Sequence, residues 1–282
     1  MDVTRPSQPN DSLGDRISRL ATIMERLRNP DTGCPWDVDQ DFASIAPYTI
    51  EEAYEVADAI EHGDMAALKD ELGDLQLQVV FHARMAEENG DFDLSAVIDG
   101  ISDKMVRRHP HVFGTEAENG ESGPGWEAIK EAERAEKGRE SALDGVATAL
   151  PALLRAEKLQ KRAARTGFDW PDESGPRGKI DEEIREVETA ETDAQRAEEI
   201  GDLLFAVVNW ARFHKIDPEA ALRHANSKFE RRFRSMETQA GDGFTKLSLE
   251  KMEELWVIAK SEKASPEDQD RLWNSTKSQE SY

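Results

Sequence analysis

Two acidic stretches, each spaced for one face of a helix, constrain this chain more than any other feature. Glu182-Glu183-Ile184-Arg185-Glu186 is followed by Glu199-Ile200-Gly201-Asp202. Residues three apart on a helix share a face, so Glu183 pairs with Glu186, and Glu199 with Asp202. If the two helices run antiparallel across their short connection, four carboxylates converge. Such a gathering is unfavourable without a cation, since each charge raises its neighbours' pKa and resists leaving water. A hard divalent ion removes the difficulty, and an oxygen-only donor set without Cys or His favours Mg2+, with Mn2+ as the other option.

The arrangement occurs twice. Glu51-Glu52-Ala53-Tyr54-Glu55 precedes Glu71-Leu72-Gly73-Asp74, and Gly73-Asp74-Leu75, Val79-Val80 and Ala83-Arg84 match Gly201-Asp202-Leu203, Val207-Val208 and Ala211-Arg212. The chain therefore reads as a tandem repeat, and 282 residues suffice for two domains with separate cores. Charged residues at 34% beside 38% hydrophobic, with few alternating Val, Ile and Thr runs, indicate amphipathic helices and an all-α fold. The expected boundaries are a disordered tail over 1–12, a first domain over 13–139, a linker over 140–150, a second domain over 151–262 and a mostly disordered tail over 263–282.

A net charge of −23 argues against nucleic acid and anionic membrane as partners, because both require a basic surface. The single Cys34 leaves no internal disulfide framework and suits a reducing cytosol. Met1 to Ser12 carries no apolar signal region, and the longest apolar run, Leu203 to Val208, is far below the roughly 18 residues of a membrane span. A cytoplasmic location is expected.

Along the chain, Ile17, Leu20, Met24 and Leu27 mark a first helix. Trp36 in Gly33-Cys34-Pro35-Trp36-Asp37 and Trp170 in Gly167-Phe168-Asp169-Trp170 stand in corresponding loops, where each could pack over the end of its bundle or contact a ligand, and packing is the preferred reading. Thr49 is the expected N-cap of the helix bearing the first acidic triplet. A helix from Met65 to Glu88 places Leu68, Leu72, Leu75 and Val79 in one stripe, and Gly73 within it suggests close approach of a backbone or ligand. Lys104 and Arg108 share a helix face, as do Lys228 and Arg232. His109 and His111 flank Pro110 in a helix-ending turn. Trp126 is expected to open a charged helix and Trp256 the last one, with Pro151 at the first turn of the second domain. Pro171, Gly175, Pro176 and Gly178 suggest a loop leading into Lys179-Ile180.

These acidic pairs, doubled and embedded in Gly-Asp-Leu, resemble the all-α nucleoside triphosphate pyrophosphohydrolases, and in particular the two-domain MazG family. The resemblance extends to Ile45-Ala46-Pro47-Tyr48-Thr49, Arg107-Arg108-His109-Pro110-His111-Val112-Phe113 and Lys228-Phe229-Glu230-Arg231-Arg232-Phe233, and covers roughly Leu13 to Lys260. It implies a homodimer of MazG-like helical bundles that converts nucleoside triphosphates to monophosphate and pyrophosphate with Mg2+. Carried over by position, Glu183, Glu186, Glu199 and Asp202 are metal ligands, Lys179, Lys228 and Arg232 hold phosphates, and Trp256 lies near the nucleotide. Glu182 is the candidate base for the attacking water, or a further ligand if the helix phase differs by one residue. In the first repeat the matching residues are Glu51, Glu52, Glu55, Glu71, Asp74, Lys104 and Arg108. Tyr48 stands there where the second repeat has Lys179, so the first site is expected to bind metal weakly and to serve structure, regulation or a slower activity.

The rival reading is a sensor or scaffold that binds Mg-nucleotide without turnover. A di-iron bundle is disfavoured, since no His follows a Glu of the acidic motifs by three residues.

Overall fold

A computed structural model describes residue 4 and residues 8–113 and 141–262. All regular elements among them are helices, in keeping with the all-α expectation. The chain divides into two compact units, 1–123 and 124–282. The helix expected from Trp126, and the tail from 263 on, lie outside the described residues.

In the first unit, α1 (Leu13–Leu27) starts from a capping box between Ser12 and Asp15. The short α2 (Pro35–Asp39) leads into α3 (Phe42–His62), followed by α4 (Met65–Asn89), α5 (Leu94–Arg108) and the single turn α6 (Pro110–Phe113). Gly63, at φ 66°, closes α3 in the left-handed region, and Asp64 at once caps α4 by accepting from the amides of Ala66 and Ala67. That two-residue reversal makes α3 and α4 a tight helical hairpin. The core beneath it joins Met24, Ile45, Val80, Phe81 and Met85.

Thr49 does not cap a helix. The N-cap is Asp41, in a capping box with Ser44, and α3 runs through Pro47. Pro47 removes only one early backbone bond, while Thr49 Oγ1 is bonded with His82 Nε2 on α4 at 2.9 Å. The stripe expected on α4 is only partly covered: Leu72 and Val79 are exposed, whereas Val80, Phe81 and Met85 are buried. A Cβ on Gly73 would meet nothing within 4 Å, so the expected close approach of a backbone does not occur among the described residues.

The second unit contains α7 (Ala152–Arg165, with Pro151 at the N-cap), α8 (Ser174–Thr189), α9 (Asp193–Phe213), α10 (Pro218–Ala240), a 3-10 turn (Gly241–Lys246) and α11 (Leu249–Ser261). Thr192 and Gln195 form the capping box of α9, three residues after α8 ends, so α8 and α9 also form a hairpin. α7 packs against α9, and α10 against α11. Gly175, Pro176 and Gly178 belong to α8 rather than to a loop, because Pro176 sits in the first turn, where no intrahelical N–H bond is lost. Trp256 lies within α11, which starts seven residues earlier behind the cap Ser248.

Candidate functional site

The hairpin of α8 and α9 brings the second acidic set together. Carboxylate oxygens of Glu183, Glu199 and Asp202 all lie within 4.8 Å of one another. Glu183, although a carboxylate, is 2% exposed. Its Oε1 meets Lys179 Nζ at 2.6 Å, and the same ammonium reaches Glu182 Oε1 at 2.9 Å. Its Oε2 is buried without a hydrogen-bond partner. Glu186, one turn along α8, is exposed and lies outside that group of three, though it interacts with Glu183.

The electrostatics divide the carboxylates. Lys179 holds Glu183 below the ordinary range against the opposing effect of burial, and its own pKa is raised by bonds to Glu183 and Glu182. Glu186 is pushed up, first by the hydrogen bond its neutral form makes to Glu183 and then by burial. Glu199 is pushed up by burial, followed by the charges of Glu186, Glu183 and Asp202. One ammonium thus compensates one carboxylate of the set and leaves the others in mutual repulsion.

These residues fit a hard divalent cation. Around Mg2+, at about 2.1 Å per ligand, oxygens lie roughly 3 to 4 Å apart, so three at up to 4.8 Å need only a small inward movement. The orphaned Oε2 of Glu183 gives the buried side of such a site an acceptor that the protein leaves unsatisfied.

In the first unit, α3 and α4 gather Glu52, Glu55 and Glu71 within the same 4.8 Å limit. Burial, then the charges of Asp74, Glu55 and Glu71, pushes Glu52 up. Burial, Glu55 and Asp74 act likewise on Glu71. Where Lys179 serves the second cluster, Tyr48 instead packs edge-on against Trp36, with ring centroids 6.2 Å apart. Glu51 is exposed. Lys104 and Arg108 stand one turn apart on α5.

Of the residues expected to serve the second site, Glu182, Glu183, Glu186, Glu199, Asp202 and Lys179 adjoin one another. Lys228 and Arg232 are on α10, Arg232 lies over the Trp256 ring at 5.6 Å, and the Phe229 ring is 5.5 Å from that indole. These three do not line the cavity that opens beside the carboxylates.

That cavity, about 800 Å3, has Lys179, Glu183 and Asp202 in its wall and continues to Gln160, Trp170, Asn209 and Arg212. The loop before α8 is fastened to α9 by Asp169, whose carboxylate accepts from both terminal nitrogens of Arg212. Trp170 lies against Gly175 so closely that a Cβ there would collide with the indole. Sequence reasoning noted this Trp and the repeated Ala-Arg pair without linking them. Gln160 and Asn209 it missed, since neither belongs to a motif and only packing brings them to the cavity.

Residues 40–113 match the MazG nucleotide pyrophosphohydrolase domain. The chain is 52% identical over 256 residues to a nucleoside triphosphate pyrophosphohydrolase of Escherichia coli K12, covering 87% of this chain and 97% of that protein. It is 44% identical over 250 residues to the nucleoside triphosphate pyrophosphohydrolase/pyrophosphatase MazG of Thermotoga maritima, covering 88% and 96%. A nucleoside triphosphate pyrophosphohydrolase of Mycobacterium tuberculosis is 37% identical over 193 residues, 67% of this chain and 55% of its own length. With its acidic helical hairpins and this similarity along almost the whole of two relatives, the chain belongs to the MazG family of nucleotide pyrophosphohydrolases.

Proposed function

We propose that the chain hydrolyses nucleoside triphosphates to nucleoside monophosphate and pyrophosphate at the Glu183 cluster of the second unit, over a broad range of bases. The observation that carries this reading is the buried, unsatisfied Oε2 of Glu183 within a cluster of carboxylates that borders a cavity. The activity named for the relatives supports it.

Glu183, Glu186, Glu199 and Asp202 would hold Mg2+, or Mn2+. Bound there, the ion would neutralise triphosphate charge and favour ionisation of the attacking water. Lys179 now spends its charge on Glu183 and Glu182. With another cation beside Glu183, the ammonium turns to a phosphate oxygen and stabilises charge developing toward the pyrophosphate leaving group. Glu182, exposed and released from Lys179, accepts the proton of the attacking water. Lys228 and Arg232 take the remaining phosphate charge, and Trp256 serves as a nucleotide contact.

The chain forms a tandem repeat with domains at 13–139 and 151–262 joined by 140–150, and the first site binds metal more weakly. Apolar side chains left open on the hairpins, among them Leu72 and Val79 on α4 and Ile200 and Leu204 on α9, support a homodimer that buries them. Among the described residues no helix is long and apolar enough to cross a membrane, and we place the protein in the cytoplasm.

A panel of nucleoside triphosphates, with and without Mg2+, tests the reaction when pyrophosphate is resolved from orthophosphate. Metal-dependent pyrophosphate and monophosphate, absent with Glu183→Ala, is the expected result. Nucleotide binding without product across the panel would instead favour a sensor or scaffold.

A further inference from the structure

We propose that Arg212 is a positioning residue of the reaction: through Asp169 it latches the loop 167–173 against α9, so that the loop closes along the cavity while substrate is bound and lifts for entry and release. The identity of the substrate rests on the hydrolase reading above; the latch itself does not.

The loop joins α7 to α8 and gives Gly167, Phe168, Asp169 and Trp170 to the cavity wall. It leaves α7 through Gly167, at φ 88°, where the amides of Gly167 and Phe168 bond to the carbonyls of Ala164 and Ala163. From Asp169 to Asp172, no backbone group bonds to another backbone group among the described residues. Apolar anchoring is slight as well. Phe168 is 82% exposed and Trp170 is about half exposed, so lifting the loop uncovers little apolar surface.

Side chains reaching α9 therefore do the fastening. Asp169 accepts from both terminal nitrogens of Arg212, and Arg212 Nε donates to Asn209 Oδ1 at 3.0 Å. The guanidinium is thus fixed on its own helix and offers the carboxylate a preformed fork. Glu173 Oε2 lies 3.3 Å from His214 Nε2 at the other end of the loop, but both side chains are well exposed and the contact contributes little.

The first unit closes the corresponding segment differently. Trp36 lies inside α2, and Arg28, with a side chain 8% exposed, donates to Glu88 and to the backbone oxygens of Asp37 and Gln40. Arg84, the counterpart of Arg212, bonds instead to Glu87 and Glu88 on its own helix. Opening that segment would unpair a buried guanidinium and the carbonyls it serves. Parting Asp169 from Arg212 is less costly, since the Asp169 side chain is 30% exposed and water reaches the freed carboxylate. The unit that carries Lys179 is also the one whose loop has a releasable fastening. A loop of this kind retains substrate and limits stray water during the reaction.

The test joins steady-state kinetics on ATP with acrylamide quenching of Trp170 emission, taken as the difference between each protein and its Trp170→Phe counterpart. In the free protein, Arg212→Gln is expected to increase that quenching about twofold, as local opening uncovers the indole. The same variant is expected to raise KM about tenfold with kcat within about threefold of the parent, because retention of substrate is lost rather than the chemistry. Asp169→Asn behaves alike, the double variant is no worse than either single one, and Arg212→Lys recovers part of the affinity. Unchanged quenching in free Arg212→Gln, additive losses in the double variant, or a fall in kcat that tracks a fall in Tm at constant KM would overturn the assignment. Failure of the hydrolase reading has a different signature: the parent yields no pyrophosphate from ATP, while quenching in the free protein still responds to Arg212→Gln.

Discussion

Replacing Lys179 by Met tests whether one ammonium offsets the charge of the second cluster in place of a metal ion. The substitution removes the partner of Glu183 Oε1 at 2.6 Å and of Glu182 at 2.9 Å with little loss of side-chain volume. Unpairing a fully buried ion pair costs about 3–5 kcal/mol. Here only the Glu183 side is buried, and the Lys179 side chain is 40% exposed, so water screens part of the interaction. Glu183 can also take up a proton when the ammonium is gone, which limits the penalty further. A loss of roughly 1–2 kcal/mol follows, equivalent to a fall in Tm of about 2–8 °C at about 2–4 °C per kcal/mol. Millimolar Mg2+ supplies a cation to the same oxygens and is expected to recover most of that difference, because ligand binding to the native state alone stabilises it by mass action. Circular dichroism melts of both proteins in EDTA and in Mg2+ make the measurement. A variant as stable as the parent in EDTA, or a deficit that Mg2+ leaves unchanged, would refute the reasoning.

The raised pKa values of Glu186, Glu199, Glu52 and Glu71 mean that the folded protein binds protons more tightly than the unfolded chain at these groups. Their contribution to stability is therefore lost as pH rises from the ordinary carboxylate value through the folded values, and Tm in EDTA is expected to fall across that window, with Mg2+ flattening the profile. Gly175→Ala drives a methyl group into the Trp170 indole and is expected to cost about 1–3 kcal/mol, read as a lower Tm and altered tryptophan emission; an unchanged melt would mean that the indole moves aside freely. Glu52→Ala combined with Glu55→Ala is expected to preserve metal-dependent turnover by the second unit, and abolished turnover would move the essential site to the first.

Local spacing in the sequence was enough for the helical class and for the pairs of carboxylates, because residues three apart share a face wherever a helix forms. It did not indicate that Lys179, read there as a phosphate contact, would pair with Glu183 one turn away on α8. Helix starts were less legible. Thr49 and the glycines before Lys179 carry cap and loop signals, but α3 begins at a capping box upstream, and α8 tolerates Pro176 in its first turn. Only the tertiary structure decided that Glu183, among neighbouring glutamates of the same motif, would be the buried one with an unsatisfied oxygen. It likewise decided the cavity wall, where Gln160 meets Phe205 across 45 residues and Asp169 meets Arg212 across 43. Periodicity describes one helix at a time, whereas burial and the orientation of an amide depend on which helix packs against it.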